Sequence, residues 1–339
     1  MSPACPSCAE PTLTGASFCE ACGAELAPAT AAVEVGAGVG CVDCGATADN
    51  ITDGYCLVCG HKQPGRRDHV EIDLEHVAGV TDKGRRHNQN EDAMSLWATG
   101  ATVAVVVCDG VSTTDNPALA SQAAADAAMA VLIPRINGVA EVEVAVAEIE
   151  AAMVDAVAAA QVAVVGVPHE TSNEGSPSCT FVAAVLRMDP SGAGDLTVAW
   201  LGDSRAYWLG PASRMLTRDH NWAAELVAAG ELTADEAAAD PRASTITRWL
   251  GRDAPEVDPD LVSLHIESPG TLVVCSDGLW NYAPRVDELD ELTSPERSPL
   301  ERARALVDFA KASGGHDNIT VVVARADGPP SGTVDEGGA

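Results

Sequence analysis

Three aspartates, whose carboxylates can bind divalent cations, lie where predicted apolar strands begin or end. The apolar run 103–108 ends at Asp109, the run 271–275 is followed one residue later by Asp277, and Asp317 comes just before a third run. Carboxylates brought together repel one another and lose hydration unless a cation neutralises them. The sequence therefore predicts that the three acids meet at one site, which holds Mg²⁺ or Mn²⁺ through oxygen ligands.

A second kind of metal site is predicted near the N-terminus. Eight of the eleven cysteines fall before residue 60. They form the Cys-x-x-Cys pairs Cys5/Cys8, Cys19/Cys22, Cys41/Cys44 and Cys56/Cys59. Two pairs together can present four thiolates to one ion, so we expect two structural Zn²⁺ sites. Disulfides or a redox dithiol are the alternatives, but two complete sets of four thiols in a chain without a secretory signal favour zinc.

The charge pattern limits the partners of the chain. The formal net charge is -30, and the first sixty residues contain seven acids and no lysine or arginine. Nucleic acid and anionic membrane surfaces need concentrated positive charge, so neither is expected as a partner. The four-thiol regions resemble tandem zinc ribbons, for which we expect a protein partner or a regulatory role. We also expect a cytoplasmic protein, since no apolar run reaches the length of a membrane span.

Composition and periodicity divide the chain into six segments. We expect zinc ribbons at 1–26 and 41–62, linkers at 27–40 and 63–69, one large domain at 70–326 and a disordered tail at 327–339. In the large domain the predicted helices are 117–133, 139–165, 222–229, 232–237 and 299–312. The predicted strands include 77–81, 93–97, 179–187, 195–201, 205–209, 261–266 and 271–276. Residues 216–249 interrupt the strands, which predicts a surface insertion over a sheet edge.

Six short motifs occur in a fixed order along the large domain. They are Asn90-Glu91-Asp92 after Gly84, Cys108-Asp109-Gly110, Gly202-Asp203-Ser204-Arg205, Leu216-Thr217-Arg218-Asp219-His220, Ser276-Asp277-Gly278-Leu279 and Asp317-Asn318. Each is weak alone, but the ordered set resembles that of the metal-dependent type 2C serine/threonine protein phosphatases over residues 70 to 325. The resemblance implies an α-β-β-α sandwich, in which two antiparallel sheets are flanked by helices.

The resemblance also implies a ligand set for two or three Mn²⁺ or Mg²⁺ ions. Asp109 would bridge the ions, Asp277 and Asp317 would complete one, and the Gly110 carbonyl with Glu91 would serve the other. Such a pair of cations activates water for attack on a phosphoserine or phosphothreonine.

Three further residues are assigned by the resemblance to supporting roles. Asp92 would act through water, while Asp203 and Asn318 would orient ligands and waters. The substrates would be phosphorylated proteins, with a serine/threonine kinase or its targets as possible partners.

Two departures from the family pattern concern the substrate. His87 stands where the family usually has a phosphate-binding arginine, and Arg86 or Arg85 is the available substitute. Residues 111–113 replace a common histidine segment, so a leaving serine would take its proton from water. A catalytically impaired scaffold that binds phosphoproteins is therefore the main alternative. A nucleic-acid-binding ribbon protein and a Ca²⁺-stabilised β protein are further alternatives.

Overall fold

The structure is a computed structural model. It describes residues 32–33, 40–41, 43–63, 65–100, 102–136, 142–169, 175–189, 193–294 and 296–326. The strands up to the middle of the chain are β1 Ala32–Val33, β2 Ile51–Thr52, β3 Tyr55–Cys56, β4 His69–Asp73, β5 Val77–Asp82, β6 Ala93–Thr99, β7 Thr102–Cys108 and β8 Ser178–Cys179. The later strands are β9 Phe181–Met188, β10 Gly194–Leu201, β11 Arg205–Leu209, β12 Arg214–Met215, β13 Leu250–Gly251, β14 Asp260–Ile266, β15 Thr271–Cys275 and β16 Ile319–Arg325. The helices are α1 Pro117–Ile136, α2 Val142–Val165, α3 Trp222–Ala228, α4 Ala234–Ala238, α5 Asp277–Trp280, α6 Val286–Leu292 and α7 Pro299–Ser313.

Two antiparallel sheets form the centre of the large domain. One has the strand order β1-β4-β5-β16-β15-β11-β12, and the other has the order β14-β10-β9-β7-β6. Side chains of both sheets share one buried cluster, which includes Val105, Val198 and Val322. The sheets therefore pack face to face, with the alternate side chains of each strand turned inward.

Helices cover both outer faces of this sandwich. Helices α1 and α2 bury alanines and larger apolar residues against the five-stranded sheet, where Ala124 and Ala160 are fully buried. Helices α5, α6 and α7 pack on the seven-stranded sheet through a third cluster that includes Leu279 and Leu306. Small side chains on α1 and α2 allow the helices to approach the sheet closely. The predicted α-β-β-α sandwich is confirmed.

Most predicted elements lie where the sequence places them, and the differences are local. The helix predicted at 299–312 is α7, and the insertion predicted at 216–249 contains α3 and α4 between β12 and β13. Helices α5 and α6 were not predicted. Residues 32–33, in the segment expected to be a linker, pair with β4 as an edge strand. Ribbon 1 and the tail at 327–339 lie outside the described residues.

Helix α1 is the one helix in the described part of the chain that has the length and apolar composition of a membrane span. It packs on β6, β7 and α2. Its apolar character is explained by this position, because core helices meet the same two criteria.

The segment before β4 is hydrogen-bonded to the large domain. Arg67 donates from Nη1 to the Ala118 carbonyl at 2.8 Å and from Nη2 to the Asp92 carbonyl at 3.1 Å. Its own carbonyl accepts from Asn90 Nδ2 at 3.0 Å. Next to it, the Asp68 carbonyl accepts from the Lys83 amide at 2.7 Å. Residues 67 and 68 thus hold the loop that carries Asn90 and Asp92.

We expect Arg67→Ala to lower the free energy of unfolding by about 2 kcal/mol, because two partly buried carbonyls lose a charged donor. Arg135→Ala is the matched control, since its ion pair with Asp155 is exposed on both sides and should contribute less than about 1 kcal/mol. Chemical denaturation monitored by tryptophan fluorescence measures both changes. Equal destabilisation by the two substitutions would show that Arg67 does not anchor the segment.

Candidate active site

Antiparallel pairing brings the predicted acids to one end of the sandwich. Asp109 follows the last residue of β7, and Asp92 precedes its partner strand β6. Asp277 follows β15, and Asp317 precedes its partner strand β16. In an antiparallel pair the end of one strand lies beside the start of the next. Asp203, in the turn between β10 and β11, lies at this end too, because β11 begins two residues later with Arg205 paired to Cys275 at the end of β15.

Glu91 also lies in this region, and the six acids are called the acid site below. Its members are Glu91, Asp92, Asp109, Asp203, Asp277 and Asp317. Asp92 and Asp203 are buried, whereas Asp109 and Asp277 keep some surface exposed. The structure therefore brings together all the carboxylates that the sequence assigned to one site.

The acids of this site raise one another's pKa values. Removal from water, followed by repulsion from Asp92 and then Asp277, holds the pKa of Asp109 well above its usual range. Removal from water and repulsion from Asp203 do the same to the pKa of Asp277. Burial also raises the pKa of Asp92 to about 6 and that of Asp203 to about 7. At neutral pH the fully ionised cluster is therefore unfavourable unless positive charge is supplied.

The hydrogen bonds of Asp92 occupy one carboxylate oxygen and leave the other open. Its Oδ2 accepts from Ser276 Oγ at 2.8 Å and from Thr320 Oγ1 at 2.7 Å. Its Oδ1 and the Oδ1 of Asp277 are buried and receive no hydrogen bond from the described residues. Buried carboxylate oxygens without donors are suited to a cation or to ordered water, so the residues present fit divalent metal ions.

The carboxylates are nevertheless spaced more widely than ligands of one ion. Among the described residues, the group of at least three candidate donor atoms that all lie within 4.8 Å of one another is made of cysteines. Repulsion between like charges opposes closer approach of the acids. In addition, Asp317 Oδ1 is 3.1 Å from His87 Nε2, an ion-pair distance if the imidazole is protonated.

Asn318 fixes the loop that carries Glu91. Its Oδ1 accepts from the Glu91 amide at 2.8 Å, and its Nδ2 donates to the carbonyls of Lys83 at 2.8 Å and Gln89 at 3.1 Å. The Glu91 side chain accepts from Gln89 Nε2 at 3.1 Å and from the Ser112 hydroxyl. These contacts fit the orienting role that the sequence assigned to Asn318.

Two glycines of the motifs are required by close backbone packing at the site. A Cβ on Gly110 would lie 2.6 Å from the Pro117 carbonyl oxygen and 2.7 Å from that of Glu91. A Cβ on Gly278 would lie 1.9 Å from the Asn318 carbonyl oxygen. All three distances are shorter than the contacts that real Cβ atoms make. Glycine thus allows the acid-bearing segments to touch.

Residues that sequence reasoning missed hold the acids in place. Thr180 accepts from the Asp109 amide through Oγ1 at 3.0 Å, and its amide donates to the Asp109 carbonyl at 2.8 Å. Ser276 and Thr320 bind Asp92, as described above. Ser276 lies inside the motif at 276–279, but no role was predicted for it. Thr320 carries no local signal, because its role depends on which strands become neighbours.

The two residues considered for phosphate binding are placed differently. His87 is partly buried and lies beside Asp317, with its Nδ1 3.9 Å from Glu91 Oε2. Arg86 is exposed in the preceding turn. The imidazole of His87 is therefore brought to the acid site, whereas the guanidinium of Arg86 lies on the surface.

The cysteine quartet, Cys41, Cys44, Cys56 and Cys59, forms a second cluster. Its four sulfurs lie within 4.8 Å of one another, and the pairs Cys41–Cys59 and Cys44–Cys56 are 3.5 and 3.6 Å apart. These distances exceed a disulfide bond, and all four are free thiols.

Backbone amides point at the sulfurs of the quartet. The Cys44 and Asp43 amides donate to Cys41 Sγ, and hydrogen bonding from Cys44 is the largest influence lowering the pKa of Cys41 to about 6. Gly45 and Gly60 have φ of +72° and +74° and supply the expected left-handed turns. Four thiols so arranged fit one tetrahedral Zn²⁺. The other predicted ligands, Cys5, Cys8, Cys19 and Cys22, lie outside the described residues.

Known proteins share both the sequence pattern and the fold. The family profile described as protein phosphatase 2C matches residues 82–311. The serine/threonine phosphatase stp of Listeria monocytogenes serotype 4b is 34% identical over 149 residues, which are 44% of this chain and 56% of that protein. The protein phosphatase PhpP of Streptococcus pneumoniae serotype 2 is 39% identical over 127 residues, 37% of this chain and 50% of that one. The chain thus spans about half the length of the curated relatives it matches.

Solved structures match over a longer stretch. The serine/threonine phosphatase PstP/Ppp of Mycobacterium tuberculosis has a TM-score of 0.57 at 30% identity, covering 73% of this chain and 97% of that one. The Streptococcus agalactiae serine/threonine phosphatase has a TM-score of 0.61 at 27% identity, with the same two coverages. A PstP catalytic domain described in complex with two manganese ions has a TM-score of 0.54 at 27% identity, covering 74% and 98%. With a matched profile, a common fold and the acids gathered at one end of the sandwich, the chain belongs to the protein phosphatase 2C family.

Proposed function

We propose that this chain hydrolyses phosphoserine and phosphothreonine in proteins with divalent cations bound at the acid site. The observation that carries the proposal is the group of Asp109, Asp277 and Asp92, whose charges are tolerable at neutral pH only with a cation present. The family profile and the phosphatase names of the relatives support the same activity.

The donor set indicates Mn²⁺ or Mg²⁺ rather than a softer metal, because every candidate ligand is oxygen. Asp109, Asp277 and Asp317 would hold one ion, and Asp109, Glu91 and the Gly110 carbonyl the other. When bound, such ions lower the pKa of water and neutralise the phosphoryl oxygens. A PstP relative described with two manganese ions supports a site of at least two ions.

The chain's own residues would orient the reactants and handle protons. Asp92, whose pKa is raised to about 6, has one oxygen fixed by Ser276 and Thr320 and one that is buried and receives no hydrogen bond from the described residues. It is therefore placed to accept a hydrogen bond from water. His87 lies beside Asp317, so its imidazole would be close to a phosphoryl group bound at the acid site.

The hydrogen bond of Ser112 affects how the leaving group would be protonated. Its hydroxyl already donates to Glu91, so it is engaged in holding a proposed ligand. The leaving serine or threonine would then take its proton from water.

A phosphoprotein-binding scaffold with little turnover is the second candidate. It is favoured by one observation, the imidazole of His87 in place of a bidentate guanidinium. The repulsion among the carboxylates argues against this second candidate, since a protein that does not use cations has no need of such a cluster.

We propose that the cysteine-rich region is two structural zinc ribbons that recruit or regulate through a protein partner. The quartet supports one of the two sites. Tyr55, Leu57 and Val58 on this ribbon are exposed, as expected of a surface that contacts protein. Gln63 donates to Cys41 Sγ at 3.3 Å, four residues before Arg67, so the ribbon is joined to the large domain by a short, anchored segment.

The catalytic proposal predicts Mn²⁺-dependent hydrolysis of a phosphothreonine peptide that Asp109→Asn abolishes. Loss of this carboxylate, which would hold both ions, should lower kcat by about a thousandfold, the upper end of the cost of removing one stabilising group from a preorganised site. Asp290→Asn, a change of an exposed aspartate on α6, is the control and should keep full activity. Phosphate release over a Mn²⁺ titration measures both. Unchanged turnover in Asp109→Asn would contradict the mechanism, and a wild-type chain that binds the peptide without hydrolysing it would favour the scaffold.

Stability without divalent cations should fall as the pH rises from about 5 to about 8. The folded-state pKa values of Asp92 and Asp203 are raised above those of the unfolded chain, so the folded state binds more protons in this window. Its advantage is lost as the pH passes the folded-state values. Added Mn²⁺ should restore stability at pH 8, because it binds the ionised carboxylates of the folded state.

Thermal unfolding at several pH values tests this expectation. Asp203→Asn is the matched variant, and it should flatten the dependence because it removes one titrating carboxylate. A melting temperature that rises between pH 5 and pH 8 in the absence of Mn²⁺ would contradict the assignment of these shifts.

The ribbon proposal predicts two zinc ions per full chain and one in the double variant Cys41→Ser/Cys44→Ser. Turnover of a small phosphate ester should change by less than about twofold, since the acid site does not use these thiols. Elemental analysis of protein purified without chelator measures the zinc. Zinc-free protein with oxidised cysteine pairs would instead support disulfides.

A further inference from the structure

A pocket beside the acid site is formed by the insertion between β12 and β13. It has a volume of about 670 Å³. The insertion side is built from small apolar residues of α3 and α4, among them Ala224, Val227 and Ala237. The opposite side contains Arg205, Trp280 and Asn281. We call it the insertion pocket.

Two of the three charged groups that line the insertion pocket, Arg205 and Asp219, are already partnered, and the third, Arg218, is exposed. Arg205 donates from Nε and Nη2 to Asp219 at 2.9 and 2.8 Å, and its guanidinium stacks 3.8 Å from the centre of the Trp280 ring. Asp219 also accepts from Asn221 Nδ2 at 3.2 Å. A ligand that bound Arg205 or Asp219 would have to compete with these contacts, whereas an apolar group would meet the alanine and valine side chains of α3 and α4 without displacing them.

The pocket and the acid site share a wall. Trp280 and Asn281 line the pocket, and Asn281 Nδ2 donates to Asp277 Oδ2 at 3.2 Å. On its other edge Trp280 Nε1 donates to the Asp203 carbonyl at 2.8 Å. Asn281 follows Asp277 by four residues, which corresponds to about 6 Å along a helix axis. An extended peptide covers the same distance in about two residues.

We propose that the insertion pocket binds an apolar side chain of the phosphoprotein substrate, two or three residues from the phosphorylated serine or threonine. The proposal rests on the proposed function and names a class of substrate for it. The occupant follows from the continuity of the pocket with the acid site and from its apolar lining. Substrates with a leucine-sized residue at that position would be favoured over substrates with a polar one.

The test compares phosphothreonine peptides that carry leucine or serine at the second or third position on either side. For the wild-type chain we expect kcat/KM to be about tenfold or more higher with leucine at one of these positions, the scale of filling a hydrophobic pocket. Val227→Asp, which places a charge in the lining, should reduce that ratio to within about twofold. Val162→Asp is the control, because Val162 is 73% exposed on α2, away from the pocket, and the ratio should stay unchanged.

A second variant keeps the proposal testable if Val227→Asp does not fold. Ala234→Leu adds bulk from α4 and should also lower the ratio. The rate of each variant with para-nitrophenyl phosphate provides its own reference.

A wild-type chain that hydrolyses all the peptides without preference overturns this proposal and leaves the proposed function standing. Folded variants that retain the full preference overturn it as well. A chain that hydrolyses neither the peptides nor the small ester would refute the proposed function, and this inference with it.

Discussion

Repulsion among carboxylates gathered at one end of a sandwich is the constraint on which this structure depends. Removing Asp109 and Asp277 from water raises the free energy of their ionised forms, and each neighbouring acid raises it further. Such an arrangement persists only where the rest of the fold fixes it. Here the strand pairs β6–β7 and β15–β16 supply rigid ends, and glycine at 110 and 278 lets the acid-bearing backbones touch.

Hydrogen bonds then determine which carboxylate oxygens remain available. The hydroxyls of Ser276 and Thr320 both donate to one oxygen of Asp92, so the carboxylate has a single orientation and its second oxygen stays open. Thr180 holds Asp109 by accepting a hydrogen bond from its backbone amide. This threonine therefore does not compete with a cation for the Asp109 carboxylate. Neutral hydroxyls suit this role because they fix geometry without neutralising the charge that a cation must meet.

The sequence was sufficient to predict the acids of the site and the layers of the fold, but not the residues that hold the acids in place. Strands ending in Asp-Gly predict where Asp109 and Asp277 lie, because apolar alternation and turn residues are local signals. Thr320 and Arg67 carry no such signal, since their partners lie 228 and 25 residues away in the chain. Asn116, directly before α1, shows a further limit of local signals, because an asparagine in this position ordinarily caps a helix with its side-chain oxygen. It precedes α1 as a cap residue should, but it has φ of +51° and its side chain donates to the Pro168 carbonyl.

The insertion is electrostatically connected to the acid site. Burial is the main cause of the raised pKa of Asp203, and Asp219, which belongs to a motif at the start of the insertion, is the largest charged influence in the same direction, while Arg205 beside it acts in the opposite sense. His220 is joined to the same turn, because its Nδ1 accepts from the Gly202 amide at 3.2 Å and its own amide donates to the Gly202 carbonyl at 2.9 Å. A ligand that shifts α3 would therefore move the residues that set the charge of Asp203.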